Sequence, residues 1–213
     1  MFLPVTLELA KGFLETLKIF ALTLCFAIPL GLLICFGTSS RFALLRLPLR
    51  GFVWVIRGTP LMLQLILIFY GPGLLFQLPS IPRFTAVIVA FSINYACYFS
   101  EIFRGGIAAI PRGQYEAGQV LGLKRQQIFF NIVLLQVIKR ILPAMSNEII
   151  TLVKDTALAR VIAIYEVTWA GESFIKVGMI WPLFYTAVFY LLFVGLVTIL
   201  LGYAEKKLSY FKA

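Results

Sequence analysis

The chain has 213 residues, of which 61% are hydrophobic and only 13% are charged. A soluble domain carries about twice that charged fraction, so the composition excludes a soluble globular protein and predicts an integral membrane protein. The net charge of +10 does not indicate a nucleic-acid partner, because the basic residues are spread between apolar segments rather than gathered on one face. The sequence lacks histidine and its three cysteines lie within apolar segments, so we expect neither a metal site nor a disulfide framework.

Five segments are each long and apolar enough to cross a bilayer, which takes about 20 mostly apolar residues. In chain order they cover residues 17–36, 51–76, 84–103, 137–164 and 181–203. An amphipathic stretch, residues 5–18, leads into the first span, and no basic region precedes it, so we do not expect a cleaved signal peptide. Pro29, Pro60 and Pro143 fall within these spans, where proline kinks or begins a helix. We therefore predict an all-α membrane protein with five transmembrane helices.

The second predicted span contains the run Arg57-Gly58-Thr59-Pro60. A residue before proline avoids the α region, and proline is tolerated at the first position of a helix, so the run predicts an extended or capped start of a helix. These residues are therefore candidates for a structural or gating role, and for Arg57 we favour helix initiation and a positive anchor at the membrane surface. Gln64 lies one turn further along and is a candidate lining residue of a solute path.

Residues 114–139, QYEAGQVLGLKRQQIFFNIVLLQVIK, form the longest stretch with regularly spaced polar residues. They cannot all lie in hydrocarbon without a large cost, so most of the stretch must lie outside the bilayer. A glycine inside a helical pattern costs about 1 kcal/mol relative to alanine, so Gly122 marks a break. We predict a helix, a sharp turn at Gly122 and Leu123, and a second helix that re-enters the membrane.

This loop, about residues 111–136, has exposed apolar side chains and therefore needs a partner. One alternative is an amphipathic helix that lies on anionic lipid, which Lys124 and Arg125 would favour. Such a helix would need neither the glycine break nor the polar pair Gln126-Gln127. We therefore prefer docking on a cytoplasmic protein.

Polar residues within the third and fourth spans recur at helical spacing and share helix faces. They are Asn94, Tyr98 and Glu101 on span three, and Glu148, Thr151, Asp155 and the neighbouring Lys154 on span four. A charge near the bilayer centre costs at least a few kcal/mol, so these groups must face protein or water. Just after span three, the small residues Gly105, Gly106, Ala108 and Ala109 allow close approach of helices.

Two interpretations of these intramembrane polar residues have similar support. The first is a clamp between helices, for example Lys154 with Glu101, or Asp155 neutralised within the bundle. The second is a site for a zwitterionic amino acid, which requires a cation near its carboxylate and an anion near its ammonium group. Lys154 with Asp155 or Glu101 would supply that pair, and the additional acid Glu148 favours a solute with a cationic side chain.

The distribution of lysine and arginine predicts the orientation. Arginines cluster between spans one and two, basic residues flank the loop between spans three and four, and Lys206, Lys207 and Lys212 follow span five. The opposite side carries fewer basic residues, partly offset by acidic ones. We therefore expect the N-terminus outside and the loop and C-terminus in the cytoplasm. One domain, residues 1–213 with a core of about 12–203, covers the chain.

The sequence resembles the permease subunits of ATP-binding-cassette importers, in the polar amino acid uptake branch. Glu116-Ala117-Gly118, followed by Gly122 and by Ile132 and Leu134, looks like the EAA loop of that family. In two positions it departs from the usual pattern, since Gly118 replaces the second alanine and Leu135 stands where proline is usual. Four further blocks look like positions in that branch: Arg57-Gly58-Thr59-Pro60 with Gln64, Ser100-Glu101-Ile102-Phe103-Arg104-Gly105-Gly106, Leu142-Pro143, and Leu152-Val153-Lys154-Asp155-Thr156.

The resemblance implies a type I ABC importer permease fold with a cytoplasmic coupling helix. It implies that the ATPase-coupling residues are Glu116, Ala117, Gly118, Gly122, Leu123 and Arg125. From the intramembrane polar residues, the candidate solute contacts are Asn94, Glu101, Lys154, Asp155 and Gln64. The candidates for gating or structural roles are Arg57, Gly58, Thr59, Pro60 and Gly105.

The partners implied by the resemblance are a cytoplasmic ATP-binding subunit dimer, a second permease copy or homologous permease, and an extracytoplasmic solute-binding protein. ATP and Mg²⁺ would then be used by the ATPase and not bound by this chain, and membrane lipid would surround it. Glu166, Trp169, Glu172 and Trp181 are predicted to form an outer loop that meets the binding protein, with Trp181 as an interfacial anchor.

Two alternative functions remain. The chain could be the permease of an importer for a different small polar solute, or it could be an autonomous carrier, channel or membrane enzyme. A carrier would need alternating access from five spans without the repeated halves that are typical of secondary transporters. An enzyme would need a reactive constellation, and the sequence shows no cluster of serine or cysteine with a base. We therefore expect a transport subunit without catalytic residues.

Overall fold

The structure, a computed structural model, describes residues 2–79 and 81–208. Within these ranges the chain is helical almost throughout and contains no β-strand. Its α-helices are α1 Phe2–Thr38, α2 Ala43–Arg57, α3 Leu61–Phe76, α4 Arg83–Ala108, α5 Arg112–Val120, α6 Arg125–Ile128, α7 Leu134–Asp155, α8 Val167–Ser173 and α9 Trp181–Leu208. A π-helical turn, Phe129–Val133, joins α6 to α7, and 3-10 turns cover Thr156–Ile162 and Phe174–Val177. The predicted all-α class is confirmed.

The first predicted span and the amphipathic stretch before it form one continuous helix, α1, of 37 residues. Val5 and Leu9 are buried and pack with side chains of α8 and α9. On the exposed side of the same turns, Glu8 and Glu15 form ion pairs with lysines three residues further on. The apolar face therefore continues without interruption, and nothing separates the lead-in from the span.

The second predicted span, residues 51–76, is interrupted at Pro60, where the sequence predicts a kink or the start of a helix. It consists of the last turns of α2 followed by the whole of α3, and the axes of these two helices differ by 107°. Pro60 cannot donate a helical hydrogen bond, and the Thr59 hydroxyl instead donates to a carbonyl in the last turn of α2 at 2.9 Å. Arg57 accordingly ends α2 rather than starting a helix, and α3 begins at Leu61, directly after Pro60.

Helix α4 is the centre of the fold. Its side chains Phe91, Tyr95 and Phe99 are almost completely inaccessible to solvent, and the helix packs against α1, α3 and α7. Small residues permit close packing at Gly106, where a Cβ atom would collide with Ile141 of α7, whereas Gly105 faces open space. The close helix approach that the sequence predicts therefore belongs to Gly106 and not to Gly105.

Four helical segments of the described chain are long and apolar enough to cross a membrane, and the bent pair α2 and α3 makes a fifth if it counts as one span. The four are Phe2–Thr38, Arg83–Ala108, Arg125–Ile162 and Trp181–Leu208. The fourth predicted span is therefore part of a longer helical segment that begins in α6. We call the end of the bundle that carries α5 and α6 the loop end.

Candidate functional site

A cavity of about 510 Å³ lies beside the break between α2 and α3 and is walled by α3, α4 and α7. This volume lies within the range of small-molecule sites, roughly 300–1,000 Å³. Its polar lining residues are Thr59, Asn94, Tyr95, Tyr98, Glu148, Thr151 and Asp155. We call it the central cavity. Its lining within the described chain includes two carboxylates and neither lysine nor arginine.

The face of α7 that the sequence predicts is present in the structure. Glu148, Thr151 and Asp155 follow one another at helical spacing, and all three line the central cavity. Across from them, Asn94 and Tyr98 of α4 line the same cavity. The two predicted polar faces therefore meet.

Hydrogen bonds hold the wall of the central cavity in place. The Tyr95 hydroxyl donates to the carboxylate of Asp155 at 2.7 Å. The Gln64 amide donates to the backbone carbonyl of Ile56 at 2.7 Å, and its oxygen accepts a hydrogen bond from the Asn94 amide at 3.0 Å. Gln64 thus connects α4 to the end of α2 and orients Asn94, and it is not among the described cavity-lining residues.

Glu101 lies outside the central cavity. Its carboxylate accepts a hydrogen bond from Nε of Arg104 at 3.0 Å and a second from Nη2, and it lies 3.9 Å from Nη1 of Arg57. The suggested pairing of Glu101 with Lys154 is therefore not the one formed, because two arginines lie closer. Glu101 borders a second cavity of about 270 Å³ together with Arg50, Val53, Trp54, Arg57 and Arg104.

Lys154 is exposed on the surface of α7. It follows the turn of helix that carries Thr151 and precedes Asp155, but it does not belong to the described lining of the central cavity. The structure therefore brings Asn94 and Asp155 together and leaves Lys154 and Glu101 apart from them. The role of Lys154 as a partner of a solute carboxylate stays a prediction.

The loop between α4 and α7 has the predicted helix–turn–helix form. Gly122 has a φ angle of +72°, which glycine adopts without steric cost. The N–H of Leu123 donates to the carbonyl of Gly118 at 3.0 Å and closes the turn. At the start of α6 the side-chain oxygen of Gln127 accepts a hydrogen bond from the N–H of Lys124 at 2.8 Å. The polar pair Gln126-Gln127 thus includes a helix-capping residue.

The inner face of the loop packs against the ends of α4 and α7. Ile110, Ile128, Val133 and Val137 form a buried cluster there, and Arg140 donates to the carbonyl of the residue directly after α4, at 2.9 Å. The loop is therefore attached to both helices by packing as well as by the chain.

The outer face of the loop lacks such cover. Val120 and Leu121 are 87% and 75% exposed, and Glu116 and Ala117 are exposed beside them. Exposed large apolar side chains on a loop outside the hydrocarbon indicate an interaction surface.

Gly118, where the resembling family usually has alanine, contacts Ile128 closely. A Cβ atom at position 118 would lie 2.6 Å from Cγ1 and 2.9 Å from Cδ1 of Ile128. Glycine at position 118 therefore leaves room for the branched side chain of Ile128, which belongs to the buried cluster of the loop.

Glu166, one of the four residues predicted to form the outer contact surface, is not exposed there. Glu166 is fully buried, and its carboxylate accepts hydrogen bonds from the N–H groups of Thr168 and Trp169 at 2.7 and 2.8 Å. Burial raises the pKa of Glu166 above the usual range, while the two backbone donors and Tyr190 oppose that rise. Glu166 therefore caps α8 and cannot meet an external protein, because its side chain is inaccessible.

Two other members of that predicted outer loop also have partners inside the chain. Glu172 forms an ion pair with Arg160, and Trp181 stacks on Phe2 with ring centroids 5.6 Å apart. The anchor role of Trp181 is compatible with this position at the start of α9.

Sequence reasoning missed two features of the site. Tyr95 follows Asn94 directly, and only the packing of α4 against α7 brings its hydroxyl to Asp155. The pairing of Glu101 with Arg104 had a detectable signal, because residues three apart on a helix are neighbours.

The chain matches a family of membrane transport components and is similar in sequence to several transport system permease proteins. Residues 27–210 match the family of the binding-protein-dependent transport system inner membrane component. The arginine transport system permease protein ArtQ of Bacillus subtilis (strain 168) is 36% identical over 212 residues, which cover 93% of this chain and 91% of that relative. The putative glutamine transport system permease protein GlnP of Rickettsia bellii (strain RML369-C) is 31% identical over 97% of this chain and 95% of its own length. The octopine transport system permease protein OccM of Rhizobium radiobacter is 36% identical over 71% of this chain and 66% of its own length.

Two solved structures are similar in fold. A crystal structure of an amino acid ABC transporter with histidines has a TM-score of 0.88 and 32% sequence identity, over 97% of this chain and 96% of that one. An inward facing conformation of the MetNI methionine ABC transporter has a TM-score of 0.76 at 19% identity, over 96% of this chain and 98% of that one. The second likeness bears on the fold alone. The relatives are permeases, which are transport components and not enzymes.

Proposed function

Because the chain belongs to the family of binding-protein-dependent transport system inner membrane components, we propose that it is the permease of an ATP-driven importer of amino acids with a preference for cationic side chains. The observation that carries this proposal is the lining of the central cavity, where Glu148 and Asp155 place two carboxylates and the described lining contains no basic residue. An ammonium or guanidinium group would find its counter-charge there.

Within this site Asp155 and Glu148 hold the positive groups of the solute, and Asn94 donates a hydrogen bond to its carboxylate. The position of Asn94 supports this role, because its amide is oriented by Gln64 and it lines the cavity opposite Asp155. Lys154 would act only if its exposed side chain reaches the solute from the rim. One relative is named for the transport of arginine, which is a cationic amino acid. Another is named for the transport of glutamine, which is neutral.

The exposed face of α5 docks on a cytoplasmic ATP-binding subunit dimer. Glu116, Ala117, Val120 and Leu121 form the contact surface, and the turn at Gly122 presents it. Packing of the loop on α4 and α7 would convert ATPase closure into movement of these two helices, which wall the central cavity. ATP and Mg²⁺ are used by that partner, and this chain binds no cofactor.

A second permease copy, identical or homologous, completes the solute path, because five spans cannot enclose one alone. An extracytoplasmic solute-binding protein delivers the amino acid at the opposite end. The N-terminus lies outside and the C-terminus in the cytoplasm, as the positive residues near α2, the loop and the end of α9 favour.

The test is uptake by vesicles that contain the complete complex, with a panel of labelled cationic, neutral and anionic amino acids. We expect ATP-dependent uptake of a cationic amino acid, and Asp155→Asn should reduce it about tenfold or more, since a charge-assisted hydrogen bond is worth about 1.5–3 kcal/mol. Glu15→Gln is the matched control, because this carboxylate is paired with Lys18 on the outer surface of α1. Equal uptake by the Asp155 variant and the control would reject the proposed site.

A further inference from the structure

The second cavity, which we call the arginine cavity, lies next to the central cavity on its loop-end side. It is bordered by Arg50, Val53, Trp54, Arg57, Glu101 and Arg104. Glu101 follows Asn94 by about two helical turns along α4, or roughly 10 Å toward the loop end. A solute that moves from the central cavity to the loop end must therefore pass at this level.

Contacts between Tyr98 and Arg57 link the linings of the two cavities. Tyr98 lines the central cavity, and the guanidinium of Arg57, which borders the arginine cavity, lies 5.1 Å from the centre of the Tyr98 ring. The Tyr98 hydroxyl donates to the backbone carbonyl of Arg57 at 3.4 Å. Thr59, at the break between α2 and α3, borders the central cavity only two residues after Arg57.

The charges in the arginine cavity do not balance. Three guanidinium groups face one carboxylate within the described lining, and the hydrogen bonds that Glu101 accepts come from Arg104. Arg57 lies 3.9 Å from that carboxylate, and its guanidinium donates no hydrogen bond to any described residue. Arg50 uses its Nε to donate to the carbonyl of Thr38 at 3.1 Å, and its terminal nitrogens donate to no described residue. Two forks of N–H donors are therefore available to an anion.

We propose that the arginine cavity is a second binding site, separate from the central cavity, that receives the carboxylate of the amino acid on its way to the loop end. Arg57 and Arg50 bind the carboxylate, and Glu101 competes with it for Arg57 so that binding stays weak enough for release. A guanidinium fork matches the planar geometry of a carboxylate, which accepts two parallel hydrogen bonds. The identity of the solute rests on the proposed function, whereas the anion site itself does not.

Trp54 provides a local reporter, because it borders the arginine cavity and no tryptophan borders the described lining of the central cavity. The complete complex is labelled with 5-fluorotryptophan, placed in lipid nanodiscs and followed by ¹⁹F NMR, with the Trp54 signal assigned from Trp54→Phe. We expect arginine to shift this signal saturably and agmatine, which lacks the carboxylate, to leave it unchanged. Arg57→Gln and Arg50→Gln should each raise the half-saturating arginine concentration about tenfold or more. Arg41→Gln, which removes the same charge outside the cavity, should leave it unchanged.

Three further outcomes would overturn the proposal. An equal shift with agmatine would mean that the site recognises the side chain. A shift produced by anionic phospholipid in the nanodisc, with no response to arginine, would assign the arginines to a lipid phosphate. Loss of the shift in Asp155→Asn with a normal response in Arg57→Gln would mean that Trp54 only reports occupancy of the central cavity.

One additional variant and one additional measurement keep the test decisive. If Arg57→Gln does not assemble, Arg57→Lys retains the charge without the fork and should still weaken the response to arginine; an unchanged response would refute bidentate binding. Uptake by Asp155→Asn is measured on the same preparation. Normal uptake with a normal Arg57-dependent shift would reject the proposed central site and leave the anion site intact.

Discussion

Gly118→Ala should change the stability of the loop in opposite directions depending on residue 128. Alanine in place of glycine stabilises a helix interior by about 1 kcal/mol. In the wild-type chain the new methyl group would lie 2.6 Å from Cγ1 of Ile128, and overpacking of this kind costs about 1–3 kcal/mol. The net effect is therefore a loss of roughly 0–2 kcal/mol. In an Ile128→Ala background the obstacle is absent, and the same change should gain about 1 kcal/mol.

Hydrogen exchange of the α5 amides in the assembled complex measures this local stability. Since about 1.4 kcal/mol corresponds to a tenfold change, the gain predicts about fivefold slower exchange in the Ile128→Ala background. In the wild-type background exchange should be unchanged or faster. Gly113→Ala is the control in the same helix, because a Cβ atom there meets open space, and its effect should have one sign in both backgrounds. If Gly118→Ala slows exchange equally in both backgrounds, contact with Ile128 does not explain the glycine.

Four other variants test the loop, the orientation and the role of the exposed lysine. Glu116→Lys or Gly122→Asp should leave the chain in the membrane but lower co-purification of the ATPase and solute-stimulated ATP hydrolysis; unchanged values for both variants would remove the loop from coupling. Phe2→Cys should react with an impermeant thiol reagent from outside, and reaction only from the cytoplasmic side would reverse the orientation. Lys154→Met should weaken solute affinity with a normal yield of complex if the lysine binds the carboxylate, and lower the yield if it neutralises an acid. Normal yield with normal half-saturation would reject both roles.

The loop could be predicted from the sequence because its signals are local. Regularly spaced polar residues show that the loop lies outside the hydrocarbon of the bilayer. Gly122 allows the left-handed backbone conformation that the structure has at this residue. The same holds for the face of α7 that carries Glu148 and Asp155, since helical spacing alone places both on one side.

Helical spacing gives the face of a residue but not the cavity that it reaches. Glu101 shares a face with Asn94, yet about two turns of helix separate them, and Glu101 meets the arginines instead of the central cavity. The bend at Pro60 likewise had a local signal, but its angle of 107° depends on tertiary contacts such as the hydrogen bonds of Gln64. Burial of Glu166 depends on the packing of α1 and α8, which no local pattern contains.

We propose that two carboxylates in the central cavity select a cationic amino acid. The most direct measurement compares uptake of arginine and of citrulline, which replaces the guanidinium by a neutral group of similar shape, in vesicles with the complete complex. Wild type should favour arginine, and Glu148→Gln and Asp155→Asn should each reduce the arginine-to-citrulline ratio about tenfold or more, because each removes a charge-assisted contact. An unchanged ratio in both variants, at normal yield of assembled complex, would contradict the assignment of the cavity.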